Sequence, residues 1–174
     1  KSQTAFGLDV SGTSLKAMQL SKKDNGFTME AFTEIQLTKG VMTGDVISDP
    51  KALSSLIKDA LIKPKFGNFT TDAVVASLPE SKSFIRVIQI PLMSEAEAEN
   101  AVPFEAESFI PLPLDQVYLD WEFLGKTADK LNVLIIAAPR EYVDNYVSIL
   151  ENAGLRPAAL EVESQSLQRA LIEP

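Results

Sequence analysis

The 174-residue chain is 45% hydrophobic and 23% charged, carries a formal net charge of −8, and contains neither Cys nor His. Without Cys there is no disulfide framework, thiolate nucleophile or thiolate zinc site, and without His there is no Ser-His-Asp triad and no imidazole base. The acidic balance opposes a nucleic-acid surface, which needs clustered Lys and Arg, and leaves proteins or a metal-bound nucleotide as the expected partners.

The length suits one domain or two closely joined subdomains. Residues 4–10, 14–21 and 27–37 read as three strands joined by the short turns VSGT and KKDNG, an antiparallel meander. Asp49 and Pro50 then introduce a helix in which Leu53, Leu56, Ile57, Ala60 and Leu61 share one face, with Pro64 just beyond its end. The intervening loop, residues 38–50, reads as the most mobile segment. DAVVASL, residues 72–78, has the continuous apolar character of a strand covered on both faces.

A second unit is expected from Pro79 onward. Residues 83–90 alternate as a strand with two mostly apolar faces, and Ser94 with Glu97 forms a capping box for a helix reaching about Phe109. Pro103 lies inside that helix and removes one backbone donor. Residues 117–124 and 132–138 are predicted strands around the polar loop GKTADK. A helix over 141–153, stopped by Gly154, a strand over PAALEVE and a last helix over 163–172 complete the chain. No internal repeat, no membrane-length apolar run and no signal-peptide layout appears, so a soluble protein is expected. The chain begins with Lys and stops at LIEP within a running helix, which suggests a fragment or processed product.

The stretch FGLDVSGTSLKAMQL poses the main chemical question. Its residues suit an exposed hairpin corner, because short Gly turns abound. That is the reading the residues alone favour; the alternative is half of a phosphate site, since successive turn N–H groups make an anion-binding concavity and a carboxylate with retained waters suits Mg²⁺. Glu163 opens the last helix, where a carboxylate also complements the helix dipole, and Glu161 lies two residues earlier. A glycosidase-like pairing of those two has no other support. Asp24, Asn25 and Gly26 read as a hairpin corner, and Glu95, Glu97, Glu99, Glu105 and Glu107 as the solvated face of their helix. Trp121, beside Tyr118 and Phe123, reads as core or interface packing, with an aromatic lining a peptide groove as the alternative.

Three stretches, FGLDVSGTSLKAMQL, ENAVPFEAESFIPLPLDQVYLDWEFLG and VLIIAAPREYVDNYVSILENAGLRPAALEVESQSLQRAL, resemble the PilM family within the FtsA and actin-like ATPase superfamily. The resemblance covers most of the chain but only the first half of such proteins. It implies an α/β fold: an actin-like (ribonuclease H-like) first lobe, residues 1–79 plus 139–174, with an inserted strand-helix-strand-strand subdomain over 80–138. It also implies site roles. Asp9 would be the magnesium-side carboxylate acting through water, Ser11, Gly12, Thr13 and Ser14 the phosphate turn, Lys16 a phosphate contact, and Glu163 the group that polarises water. Ser11 departs from the pattern, because relatives usually carry Gly there and a Cβ crowds a phosphate.

The function implied is a cytoplasmic adaptor of type IV pilus assembly or a related secretion machine, held peripherally at the inner membrane through partners. Such proteins bind the cytoplasmic N-terminal tail of PilN in a groove between the core lobe and the inserted subdomain, alongside other platform proteins. No nucleic acid and no direct membrane insertion are expected. ATP and Mg²⁺ would belong to the two-lobed parent, with none held by this chain alone and no enzymatic activity. The alternative is an ATP-binding or ATP-hydrolysing protein of the FtsA cell-division type, working through Asp9, Lys16 and Glu163.

Overall fold

A computed structural model describes residues 4–24 and 26–172. Asn25 of the expected KKDNG turn and Glu173 and Pro174 of the closing LIEP lie outside the described residues. The chain divides into two compact units, one running to Pro79 and resuming at Asn145, the other Glu80–Asp144.

The first unit begins with β1 (Phe6–Val10), β2 (Ser14–Lys23) and β3 (Gly26–Gln36), paired antiparallel. Register places Asp9 opposite Lys16 and Gly7 opposite Met18, so these four side-chain positions share one face. On the other face Phe6, Leu8, Val10, Leu15 and Ala17 are buried. The segment read as a mobile loop is instead a small packed hairpin of β4 (Met42–Thr43) and β5 (Val46–Ile47). Val41 is buried at its base, and its carbonyl accepts from the N–H groups of Ser48 (2.9 Å) and Asp49 (3.1 Å). Composition alone hid this, because two buried apolar residues, Val41 and Met42, and a few backbone bonds fix a Gly-containing segment.

Asp49 caps α1 (Pro50–Ile62) by accepting from the Ala52 N–H at 3.0 Å, and Pro50 supplies a first-turn residue that needs no donor. Leu53, Ile57 and Ala60 are buried, while Leu56 and Leu61 are only half-buried at the edges of that face. The two-residue β6 (Phe66–Gly67) extends the sheet beyond β3. β7 (Ala73–Leu78) lies parallel between β1 and β11 (Arg156–Val162), giving the order β11-β7-β1-β2-β3-β6. Three antiparallel strands followed by two parallel ones form the ribonuclease H-like arrangement expected. One detail differs. Val74, Ala76 and Leu78 are buried, but Val75 and Ser77 on the opposite face are only half-buried, so β7 is not covered equally on both sides.

The chain returns to this unit through α3 (Arg140–Asn152), whose Tyr146, Ile149 and Leu150 are buried. Its C-terminus is closed by the Leu155 N–H on the Leu150 carbonyl (3.0 Å) and the Gly154 N–H on the Glu151 carbonyl (2.9 Å). Gly154 takes φ +85°, which that closing turn requires. α4 (Glu163–Leu171) follows β11 directly.

The second unit contains β8 (Phe84–Pro91), α2 (Glu95–Glu107), β9 (Val117–Lys126) and β10 (Lys130–Pro139), with β10 central in an antiparallel sheet β8-β10-β9. Ala98, Val102 and Ala106, four residues apart, bury one face of α2 against Ile88, Ile90, Val133 and Ile135. Small side chains there let the helix backbone approach the sheet. Trp121 and Phe123 pack on the same core, as the sequence suggested, whereas Tyr118 faces the other side of β9. There its hydroxyl donates to Asp144 at 2.8 Å and the Arg140 guanidinium lies 4.2 Å from its ring. The capping box of α2 is formed: the Ser94 N–H (2.9 Å) and hydroxyl (2.8 Å) both donate to Glu97 Oε2. Those bonds favour the ionised carboxyl and hold Glu97 below its ordinary value.

Candidate functional site

The half-open sheet face of the first unit carries the polar cluster. Odd-numbered positions of β1 and β7 and even-numbered positions of β2 point to this side, and they enclose a cavity of about 400 Å³. Its apolar floor comes from Met18, Phe32 and Val75, and its polar groups are Asp9, Lys16, Ser77, Glu161 and Ser166. A floor of apolar and aromatic side chains with a few convergent polar groups is the usual form of a small-ligand site.

Each acidic group in the cavity already has partners. Ser77 donates to Asp9 Oδ1 at 2.6 Å, a bond set by the parallel β1 and β7 strands. Glu161, opposite Ser77 in the β11 and β7 register, accepts from Ser166 at 3.1 Å and from Arg169 at 2.8 Å. Ser166 and Arg169, in the middle and last turn of α4, therefore fold back onto the last inward carboxylate of β11.

Of the residues singled out in the sequence, Asp9 and Lys16 line this cavity. Ser11, Gly12, Thr13 and Ser14 form the corner beyond it. Glu163 stands half-buried at the start of α4, and it is Glu161 that lines the cavity wall. Ser77, Glu161 and Ser166 were missed as site residues. Ser77 had a signal, since it is the single hydroxyl inside the apolar run AVVASL. Glu161 likewise interrupts an apolar strand, but only the strand pairing shows that it meets Ser77.

The corner itself is tied inward. The Ser11 N–H donates to the Ser14 carbonyl at 2.9 Å, and the Thr13 carbonyl accepts from the Leu37 N–H at 2.8 Å. The Ser11 hydroxyl accepts from the Ser14 N–H at 3.1 Å and from the Thr13 N–H at 3.5 Å. A Cβ built on Gly12 would stand 2.9 Å from the Gly44 carbonyl oxygen, so the β4 and β5 hairpin leans on the turn. A nucleotide phosphate needs outward, unengaged N–H donors and no facing carbonyl. As folded, the corner does not fit that group, although Asp9 with retained waters suits a divalent ion.

The sequence matches the family described as type IV pilus assembly protein PilM over residues 7–173. Among solved structures the chain is similar to one from a PilM-PilN type IV pilus biogenesis complex, with 28% identity and a TM-score of 0.83. That match covers 97% of this chain and 50% of the other. It is also similar to the cytoplasmic domain of EpsL, an inner-membrane component of the type II secretion system of Vibrio cholerae. There the identity is 15%, the TM-score 0.57, and the coverage 92% of this chain and 57% of the other, a likeness of fold alone. The chain spans about half the length of the structures it matches, and its fold is mixed α/β of the actin-like type.

Proposed function

The chain belongs to the type IV pilus assembly protein PilM family, and from that premise we propose that it serves as an assembly adaptor for the cytoplasmic N-terminal tail of a PilN-like inner-membrane protein. The observation that carries the reading is the match over nearly the whole chain to a structure described as a PilM-PilN complex. An extended tail gains main-chain hydrogen bonds and places alternate apolar side chains in pockets. Ordering it opposes binding, so the affinity is roughly micromolar.

Attachment to the inner membrane would then be peripheral, on the cytoplasmic side, through that partner and other platform proteins. In support, no helix among the described residues is long and apolar enough to cross a membrane. ATP and Mg²⁺ belong, in this proposal, to a two-lobed protein. The present chain neither holds nor hydrolyses nucleotide alone, a reading supported by the inward-tied donors of the 11–14 corner. The competing reading, an ATP-handling protein of the FtsA type, rests on Asp9 and Lys16 sharing a cavity.

Titration of the chain with a PilN-like tail peptide tests the adaptor reading directly. Saturable binding near micromolar concentration is expected, and none up to millimolar peptide would reject it. Addition of Mg²⁺ and ATP should leave the melting temperature unchanged, because any ligand selective for the folded state must raise it. A large rise would favour the ATP-handling reading instead.

A further inference from the structure

The hydrogen bonds of the 11–14 corner bear on why this turn rests closed. Ser11 supplies a hydroxyl where, by the resemblance above, a Gly would leave room for an anion. That oxygen takes the N–H of Ser14 at 3.1 Å and reaches the N–H of Thr13 at 3.5 Å. Its own proton is engaged too, with the Ser14 carbonyl at 3.2 Å and the Ser14 hydroxyl at 3.1 Å within reach. A neutral hydroxyl oxygen thus takes two successive turn amides, the donors that a phosphate oxygen bound at this turn would use.

A second, independent contact closes the same corner from outside. Gly44 adopts φ +56° in the turn between β4 and β5, and its carbonyl carbon and oxygen lie over Gly12. An acceptor oxygen this close to Gly12 disfavours an anion at the same place. The hairpin is anchored by the buried Val41 and its two carbonyl bonds, so this is a packed arrangement rather than a loose flap.

We infer that Ser11 is an internal latch: its hydroxyl acts as a built-in substitute for a phosphate oxygen, so that a phosphate-bearing ligand must displace it before the turn can bind. The inference rests on reading this corner as the counterpart of the actin-like phosphate turn, and it is independent of tail binding. Losing the adaptor role would leave the latch intact, and the reverse also holds.

The test uses the whole chain labelled with ¹⁵N, following the amide signals of Gly12, Thr13 and Ser14. In the unaltered chain the Ser14 amide is protected from hydrogen exchange and neither it nor Thr13 shifts in millimolar inorganic phosphate. Ser11→Ala should speed Ser14 exchange about tenfold, and Ser11→Gly, which removes the crowding Cβ together with the hydroxyl, should tighten phosphate binding by a similar factor, the worth of one exposed turn hydrogen bond. Ser11→Thr keeps the hydroxyl and should behave like the unaltered chain. Phosphate shifts at Thr13 and Ser14 in the unaltered chain would overturn the latch. So would Ser14 exchange that does not change in Ser11→Ala, phosphate affinity that does not change in Ser11→Gly, or Ser11→Thr behaving like Ser11→Ala.

Discussion

Thr33 offers a direct test of how the first unit is held together. It lies on β3 opposite Ala17, is 1% exposed, and its hydroxyl oxygen has no hydrogen-bond partner among the described residues. A buried hydroxyl without a partner costs about 1–3 kcal/mol of desolvation. Replacing it with the similarly shaped methyl of Val removes that cost and adds about 0.8 kcal/mol of apolar burial. Allowing for imperfect fit, Thr33→Val should raise stability by about 1–2 kcal/mol, or roughly 3–6 °C in melting temperature for a domain of this size. Thr33→Ser, which keeps the hydroxyl and loses the methyl, should fall by about 1 kcal/mol. The measurement is urea denaturation followed by far-UV circular dichroism. Trp121, the single Trp of the sequence, lies in the second unit, so its fluorescence serves as an internal reference for that unit. A Thr33→Val protein no more stable than its parent would show that the hydroxyl is engaged, and the burial reasoning would fail.

Three further outcomes follow from other parts of the molecule. Ala98→Leu forces extra methylenes between α2 and its sheet and should destabilise the second unit by about 1–3 kcal/mol, read by Trp121 fluorescence, whereas Glu99→Leu on the exposed face should change little; equal effects would misplace the helix face. Glu97 should titrate below its ordinary value of 4.5 because Ser94 stabilises its ionised form. Its lowered folded value means that the capping contribution is present above the ordinary value and is lost as pH falls through the folded one. Ser94→Ala should move the Glu97 titration, followed by carboxyl NMR, back up; an unmoved curve would assign the shift to another cause. Finally, cytoplasmic segments beside membrane spans are rich in Lys and Arg, so a tail of that kind should bind the −8 chain more weakly as salt rises. Salt-independent affinity would place recognition in apolar pockets alone.

Local chemistry made most of the fold legible in advance. The Asp49 and Pro50 start of α1, the Ser94 and Glu97 capping box and the Gly154 stop are short-range signals, each set by one or two hydrogen bonds or a single φ angle. Trp121 was read as core or interface packing and does pack on the core, while the placing of Tyr118 on the opposite side of β9 came only with the structure. What stayed hidden depends on pairing distant in sequence. The covered and half-open faces of β7 differ only because nothing in the first unit buries Val75 and Ser77 as it buries Val74 and Ala76. β6 is visible only through its register with Ala31 and Phe32, and the hairpin at 42–47 only through the burial of Val41. The candidate site followed the same division. Asp9 and Lys16, named from the family resemblance, face each other across a tight hairpin and line the cavity, whereas Ser77 and Glu161 reach it through parallel ladders 68 or more residues away and carried no such pointer.

The state of the polar groups in that cavity also bears on the choice between an adaptor and an ATP-handling protein. Asp9 is held by Ser77, Glu161 by Ser166 and Arg169, and the amides of the corner by Ser11. A phosphate entering here exchanges existing hydrogen bonds for new ones of the same kind, so the net gain per bond is small. Lys16, the one cation on the cavity wall among the described residues, is exposed, where a charge interaction is weakened by solvent. On the adaptor reading proposed above, strong nucleotide binding needs more free donors than a corner whose Ser11, Thr13 and Ser14 amides are already engaged can offer. A bound tail has no such requirement, because it brings its own backbone donors and acceptors. The same satisfied network that weakens the case for nucleotide on this chain alone leaves the adaptor reading untouched.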